Sequence, residues 1–344
     1  FKPYLFKTTD YGRSWNKITE GIAGDHFTRV IRADTEKRGL LYAGTERGVY
    51  LSADDGKTWR TSQLNLPIVP ITDLAVKEGN LVAATQGRGY WILDDLTFLR
   101  QIEENTFEKE LQLFSPMPAV RWLNTNAKDP GHRGTNPSTG VVLRYWLERA
   151  LPAGEEIELV ITDEAGNTVR QFSRKLEEDE KAPEPLIGDD DRQLGANAGL
   201  NHFEWNMRFP SVERFPGLVL WNDSLQGPLA VPGTYQATLT AAGQMQQVNL
   251  EILPDPRPGT RAAELQEQFD FVWGNNRKLT ETHRAITRLR AARQQISAID
   301  ERLKDDPQYA DLSASATDLT ERLTAVEETL YQVRMESRQD PLNF

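Results

Sequence analysis

The chain has 344 residues, 38% of them hydrophobic, with 8 Trp, 9 Tyr and 13 Phe, enough for two or three domains with real cores and against wholesale disorder. Its 40 basic and 51 acidic side chains leave a formal charge of −11 with no long basic run, which argues against nucleic acid as the main partner. Cysteine is absent, so disulfides, zinc–thiolate sites and cysteine nucleophiles are excluded, and no apolar run approaches the roughly 18 residues that span a bilayer.

The first residues, FKPYLFKTTD, read as a strand entering a turn, with no initiator Met and no signal peptide. A domain rarely begins inside a repeat, so residue 1 reads as an internal cut that leaves targeting signals out of view. Residues 1–103 carry a β pattern. TRVIRAD (28–34), LLYAGTERGVYLS (40–52), ITDLAVKEG (71–79) and NLVAATQGRGYWILDD (80–95) are short apolar runs separated by Gly, Asp and Asn turns. Two stretches superimpose at an offset of 40 residues, YAGTERGVYLSADD (42–55) and VAATQGRGYWILDD (82–95). Two octapeptides, TTDYGRSW (8–15) and SADDGKTW (52–59), repeat at an offset of 44. A period of about 40–50 residues with short strands is the signature of β-propeller blades, so 1–103 is expected to hold the last blades of one.

Residues 104–140, with SPMPAVRW and AKDPGHRGTNPSTG, read as an irregular linker packed on that region. Strand patterns return at VVLRYWLE (141–148), EIELVITDEAGNTVRQFS (156–173), GLNHFEWNMRF (199–209) and GTYQATLTAAGQMQQVNLEIL (233–253). Their alternation, with hairpin turns at DEAGN and AAGQ, predicts an immunoglobulin-like β-sandwich over 141–255. The acidic stretch 177–192 reads as a solvated loop.

From 260 to 344 the pattern is helical. Thr260 is the expected N-cap, with Glu264 in the first turn. A first helix carries Leu279, Ile286, Leu289, Ile296 and Leu303. A second carries a seam at Leu312, Ala316, Leu319, Leu323, Val326, Leu330 and Val333, with KDDPQ (304–308) as the turn between them. Continuous over 277–303, the first helix would be a rod of roughly 40 Å, with GNN (274–276) as a candidate kink nearer its start. Pro341 near the end again suggests that more chain follows. The fold class is therefore mainly β with an α-helical C-terminal part, a helical hairpin or bundle that offers a route to oligomers.

Each octapeptide residue has a structural use. Asp10 and Asp54 can accept N–H bonds from their own turn, and Gly12 and Gly56 can take positive φ. Thr8, Ser14, Ser52 and Thr58 supply hydroxyls that can close the loop, and Trp15 and Trp59 supply apolar bulk to bury between strands. One carboxylate in TTDYGRSW is too few for a calcium loop. In the repeat, Asp94 and Asp95 match Asp54 and Asp55, but Leu96 replaces Gly56 and no Trp follows. A glycosidase needs two facing carboxyl groups about 5–10 Å apart. Asp94 and Asp95 are adjacent, and a degenerate turn is the simpler account of them. The octapeptides resemble a repeat of sialidases, which use an arginine cluster, a tyrosine and an acid. That resemblance makes Arg88 and Tyr90 in QGRGYW candidates, with a structural role favoured for Arg88. His26, His132, His202 and His283 lie in four separate segments, which argues against a histidine-built metal site. Trp91, Trp122, Trp205 and Trp221 are candidates for a carbohydrate platform, each more readily explained as packing.

The pattern Ser/Thr-x-Asp-x-Gly-x-Ser/Thr-Trp resembles the Asp-box, or BNR repeat, of sialidase-type and sortilin-type propellers. The ordered set GLLYAGTERGVYLSADDGKTW, PITDLAVKEGNLVAATQGRGYWILDDLTFLRQ, LFSP, GTNPSTG, ITDEAGNTVR, GLNHFEWNMRFP and GPLAVPGTYQATL is similar to the C-terminal portion of bacterial sortilin-like, or "glycosyl hydrolase, BNR repeat", proteins. The resemblance implies an Asp-box propeller, an immunoglobulin-like domain, a helical tail and export to the periplasm or cell surface. From the residues themselves, no cofactor and no metal are expected. The expected role is non-catalytic binding of a peptide or glycan by a complete propeller. The alternative is a glycoside hydrolase with most catalytic residues outside this sequence, since fold alone does not establish function.

Overall fold

The computed structural model describes residues 1–122, 136–175, 193–220, 225–337 and 340. The protein is mainly β with a helical C-terminal part.

Short strands come first: β1 (Phe6–Lys7), β2 (Asn16–Lys17), β3 (Thr28–Ala33), β4 (Leu41–Thr45), β5 (Gly48–Ser52), β6 (Arg60–Thr61), β7 (Ile71–Lys77), β8 (Asn80–Thr85) and β9 (Tyr90–Leu93). They form three antiparallel sheets in succession, β1-β2, β3-β4-β5-β6 and β7-β8-β9. These open sheets of two, four and three strands do not make a closed propeller. The repeat is nevertheless visible in backbone detail. A register shift at Thr28/Val30 between β3 and β4 recurs at Ile71/Asp73 between β7 and β8. Thr45 Oγ1 donates to Gly48 O (2.9 Å) across one hairpin, and Thr85 Oγ1 to Gly89 O (2.6 Å) across the next. The second and third sheets share a core of Leu40, Tyr42, Val49, Ile71, Leu74 and Leu81. At Gly44 a Cβ would lie 2.7 Å from both Val30 Cγ1 and Ile71 Cγ2, so glycine permits the approach of β7.

The helix α1 (Thr97–Gln101) follows, then β10 (Leu111–Phe114), β11 (Ala119–Arg121), β12 (Val141–Leu147), β13 (Glu156–Asp163), β14 (Thr168–Lys175), β15 (Gly199–Trp205), β16 (Gly233–Ala241) and β17 (Gln244–Pro254). Two sheets result, β10-β12-β15 and β11-β17-β16-β13-β14. Period-2 burial explains how they pack. Val141, Leu143, Tyr145 and Leu147 alternate inward on β12, as do Tyr235, Ala237, Leu239 and Ala241 on β16. One core unites both sheets, crossed by the ring pairs Trp205–Tyr235 (5.7 Å) and Phe172–Phe203 (4.7 Å). The stretch 104–140 is less irregular than its composition suggested, because β10 and β11 fall inside it and each joins one of the two sheets. Their runs of four and three residues are too short for periodicity to register. Most of AKDPGHRGTNPSTG and all of the acidic stretch 177–192 lie outside the described residues, as do His132, Trp221 and Pro341.

The last elements are α2 (Ala262–Leu303) and α3 (Ala310–Leu330). Helix α2 starts after Arg261 rather than Thr260, because Glu264 Oε2 reaches back to accept the Arg261 N–H (2.9 Å). It is continuous through Gly274–Asn276, and its 42 residues extend for about 63 Å. No interruption occurs at GNN; Asn276 Nδ2 instead donates to Gln226 O (3.0 Å), and Phe269 and Trp273 pack on Phe209 at 4.6 and 5.3 Å. The turn at KDDPQ is present, with Asp306 Oδ1 accepting the Gln308 N–H (3.0 Å). The expected seam is displaced. Leu312, Leu319, Val326 and Leu330 stay substantially exposed, while Glu327 is fully buried because it faces Arg290 and Arg293 on α2.

Candidate functional site

The octapeptides occupy equivalent corners, TTDYGRSW between β1 and β2 and SADDGKTW between β5 and β6. In the first, the Thr8 hydroxyl donates to Asp10 Oδ1 (2.8 Å) and accepts the Gly12 N–H (2.8 Å). Ser14 donates its N–H to Asp10 Oδ1 (2.9 Å) and its hydroxyl to Oδ2 (2.6 Å). The second copy repeats this bond for bond. Ser52 donates to Asp54 Oδ1 (2.8 Å) and accepts from Gly56 N (2.9 Å), and Thr58 donates its N–H to Oδ1 (2.9 Å) and its hydroxyl to Oδ2 (2.6 Å). Both turns carry two consecutive left-handed residues, Tyr11–Gly12 and Asp55–Gly56. The Ser14 hydroxyl foremost, then the Ser14 N–H and the Thr8 hydroxyl, hold the Asp10 carboxyl down at about 2. Burial pushes Asp54 upward, but the bonds from Thr58 and Ser52 outweigh it and leave its carboxyl below the usual range. Both groups are thus ionised at neutral pH with both oxygens engaged in their own turn, a state unsuited to general acid chemistry.

The tryptophans differ. Trp59 is 2% exposed, and its Nε1 donates to Ile18 O (2.8 Å) beside the preceding sheet. Trp15 is 59% exposed, contrary to the expectation that it is buried between strands, because its sheet is only the two-stranded β1-β2 ribbon.

In the third copy, Asp95 is left-handed like Asp55, but Leu96 returns to φ −78° and caps α1. Asp95 Oδ2 pairs with Arg144 of β12, and Oδ1 accepts the Thr97 N–H (3.1 Å). Asp94 points to solvent, so the two carboxylates do not work as a pair. Arg88 and Tyr90 are exposed at the β8–β9 hairpin, and the Arg88 carbonyl accepts from Trp91 Nε1 (3.1 Å). The expected tryptophan platform is not assembled. Trp205 lies fully inside the two-sheet core, Trp91 packs against the core of the second and third sheets, and Trp122 is capped by the Arg257 guanidinium (5.1 Å). His26 meets Tyr50 Oη through Nδ1 (2.8 Å), His202 is exposed on β15, and His283 is buried against Phe215 with Nδ1 beside Glu213 O (2.5 Å). Among the described residues, no three His, Asp or Glu side chains form a metal-binding group.

A larger surface escaped the sequence reading. Where α2 crosses the 210–213 segment, a groove of about 640 Å³ is lined by Trp273, Arg277, Arg284 and Arg288 against Pro210 and Glu213. Arg284 Nε donates to Glu213 Oε2 (2.7 Å), and this bond foremost holds the Glu213 carboxyl below its usual range. Arg277 and Arg288 are exposed and form no ion pair among the described residues. The groove can take an acidic or hydrogen-bonding chain beside an aromatic wall. Its signal was available, since 273, 277, 284 and 288 share one helical face.

No protein-family model matches the chain, and no curated protein matches it. Among solved structures, it is similar to the extracellular domain of a protein described as a hybrid two-component system from B. thetaiotaomicron. That match has 12% identity and a TM-score of 0.24, and covers 74% of this chain and 29% of that one.

Proposed function

We propose that residues 1–103 are successive blades of an Asp-box propeller of the sortilin-like kind, that the two-sheet unit is an immunoglobulin-like sandwich, and that the protein is an exported, non-catalytic binding or scaffold protein. Its ligand in this reading is a peptide or glycan held by the propeller, while the sandwich and helices position it. The observation that supports this best is the pair of matching hydrogen-bond circuits 44 residues apart. A corner device repeated from sheet to sheet is what a blade array needs, and it occupies both oxygens of each aspartate. Propellers close with about 4–8 blades, more than the three sheets here, so the ligand-holding face would include further blades.

The test uses the protein with its complete ring on glycan and peptide arrays, beside turnover of aryl glycosides and polysaccharides. Saturable binding without turnover is expected. Hydrolysis that disappears when one carboxylate is replaced would overturn the binding reading in favour of a glycosidase, and binding to neither array would overturn the ligand class.

A further inference from the structure

Arg121 ends β11 at the meeting point of the two-sheet core, the 226–229 segment and α2. Its Nη2 donates to Gln268 Oε1 on α2 (3.2 Å), whereas its Nη1 is shut off from solvent with no hydrogen-bond partner among the described residues. No carboxylate forms an ion pair with it among the described residues. Asp255, which lines a small cavity beside Arg121, pairs with Arg257. Its cationic neighbour is Arg208, which follows β15 and donates from Nη1 to Gly227 O (2.7 Å). Burial foremost lowers the Arg121 pKa; the nearby Tyr235 opposes this, and the positive charge of Arg208 adds to it.

A half-buried guanidinium with one N–H left unsatisfied is costly unless an anion answers it. The space for one is present. The two arginines border a cavity of about 330 Å³ that also presents Gln268, Asn276, Phe269 and Val272. Arg121 additionally borders a smaller cavity of about 150 Å³ beside Trp122. Two cations, amide side chains and an apolar wall are the elements of a site for a small organic anion, and planar guanidinium groups match a planar carboxylate.

We propose that the cavity between Arg121 and Arg208 is a binding site for a small carboxylate-bearing ligand, independent of the propeller's ligand. In the empty site, Arg121 is a strained cation kept for binding, and it lowers the stability of the unliganded fold. A structural ion pair would behave in the opposite way.

The experiment titrates the whole chain with glutarate, citrate, galacturonate, inorganic phosphate and the neutral glutaramide, by calorimetry and by NMR of the arginine Nε–H groups. At least one carboxylate is expected to bind with a Kd of about 1 mM or tighter, shifting the Nε resonances of Arg121 and Arg208, with glutaramide silent. Arg121→Gln is expected to weaken binding at least about tenfold and to leave the unliganded Tm unchanged or raised. Three results overturn the proposal: no Nε shift with any carboxylate, binding undiminished in R121Q, or preference for phosphate over every carboxylate. If R121Q unfolds, the removed charge was paired structurally, and that also overturns it.

Discussion

Gly12 and Gly56 hold the same place in the same turn, at φ +89° and +86°, yet they meet different neighbours. A Cβ at Gly12 would approach only Trp15 Cζ2, at 3.9 Å, whereas one at Gly56 would lie 2.7 Å from Ile18 Cδ1 and 3.4 Å from Leu41 Cδ1. Left-handed strain alone costs about 1–2 kcal/mol, and that is the expected loss for Gly12→Ala. Gly56→Ala adds overpacking against the adjoining sheet, about 1–3 kcal/mol more. Urea titrations of the two variants check this, and equal losses would contradict it. Here the sequence was informative to a definite depth. It gave the Asp10 and Asp54 carboxylates and the Thr8, Ser14, Ser52 and Thr58 hydroxyls bonds within the turn, which the structure contains, but it treated Trp15 and Trp59 as equivalent. Burial of a tryptophan depends on which sheet adjoins it, and that neighbour is not encoded in the octapeptide.

At the scale of elements, strands were legible and helix faces were not. Alternation of period 2 placed β12, β13, β16 and β17 within a residue or two, since one face of each meets a core. The seam of α3 followed the same logic and was displaced, because Glu327 is buried rather than an apolar neighbour. Glu327 Oε1 accepts from Arg290 Nε (2.7 Å), Oε2 pairs with Arg293, and the Arg290 guanidinium lies over the Phe215 ring (4.7 Å). A pattern of apolar residues cannot anticipate a buried charge whose partners sit on another helix. Arg121 was overlooked for a related reason, standing in a stretch read as linker. Glu327→Ala leaves two guanidinium groups without their shared acid and is expected to cost about 3–5 kcal/mol, read by denaturant unfolding. A loss below about 1 kcal/mol would mean that the pairs are no better than surface ones.

At the scale of the whole molecule, a small set of contacts among the described residues ties the short-stranded sheets to the two-sheet core. Arg144 pairs with Asp95, Phe98 stacks edge-on against Phe114 (4.9 Å), and Gln101 exchanges two hydrogen bonds with Ser115 (2.8 Å each). Arg144→Ala is therefore expected to let the two units melt separately, so that a single calorimetric transition becomes two; one undivided transition would show that the remaining contacts suffice. The site of this junction follows from Leu96. In the second copy, a left-handed glycine at the corresponding position sends the chain back to add another strand. In the third, a side chain that fills the core at right-handed φ sends it into α1 and out of the array. Repeats of this kind carry their own punctuation, written in the handedness of one backbone residue. Lengthening or ending such an array would turn on this one position, together with repacking of the adjoining sheet to receive or release its side chain.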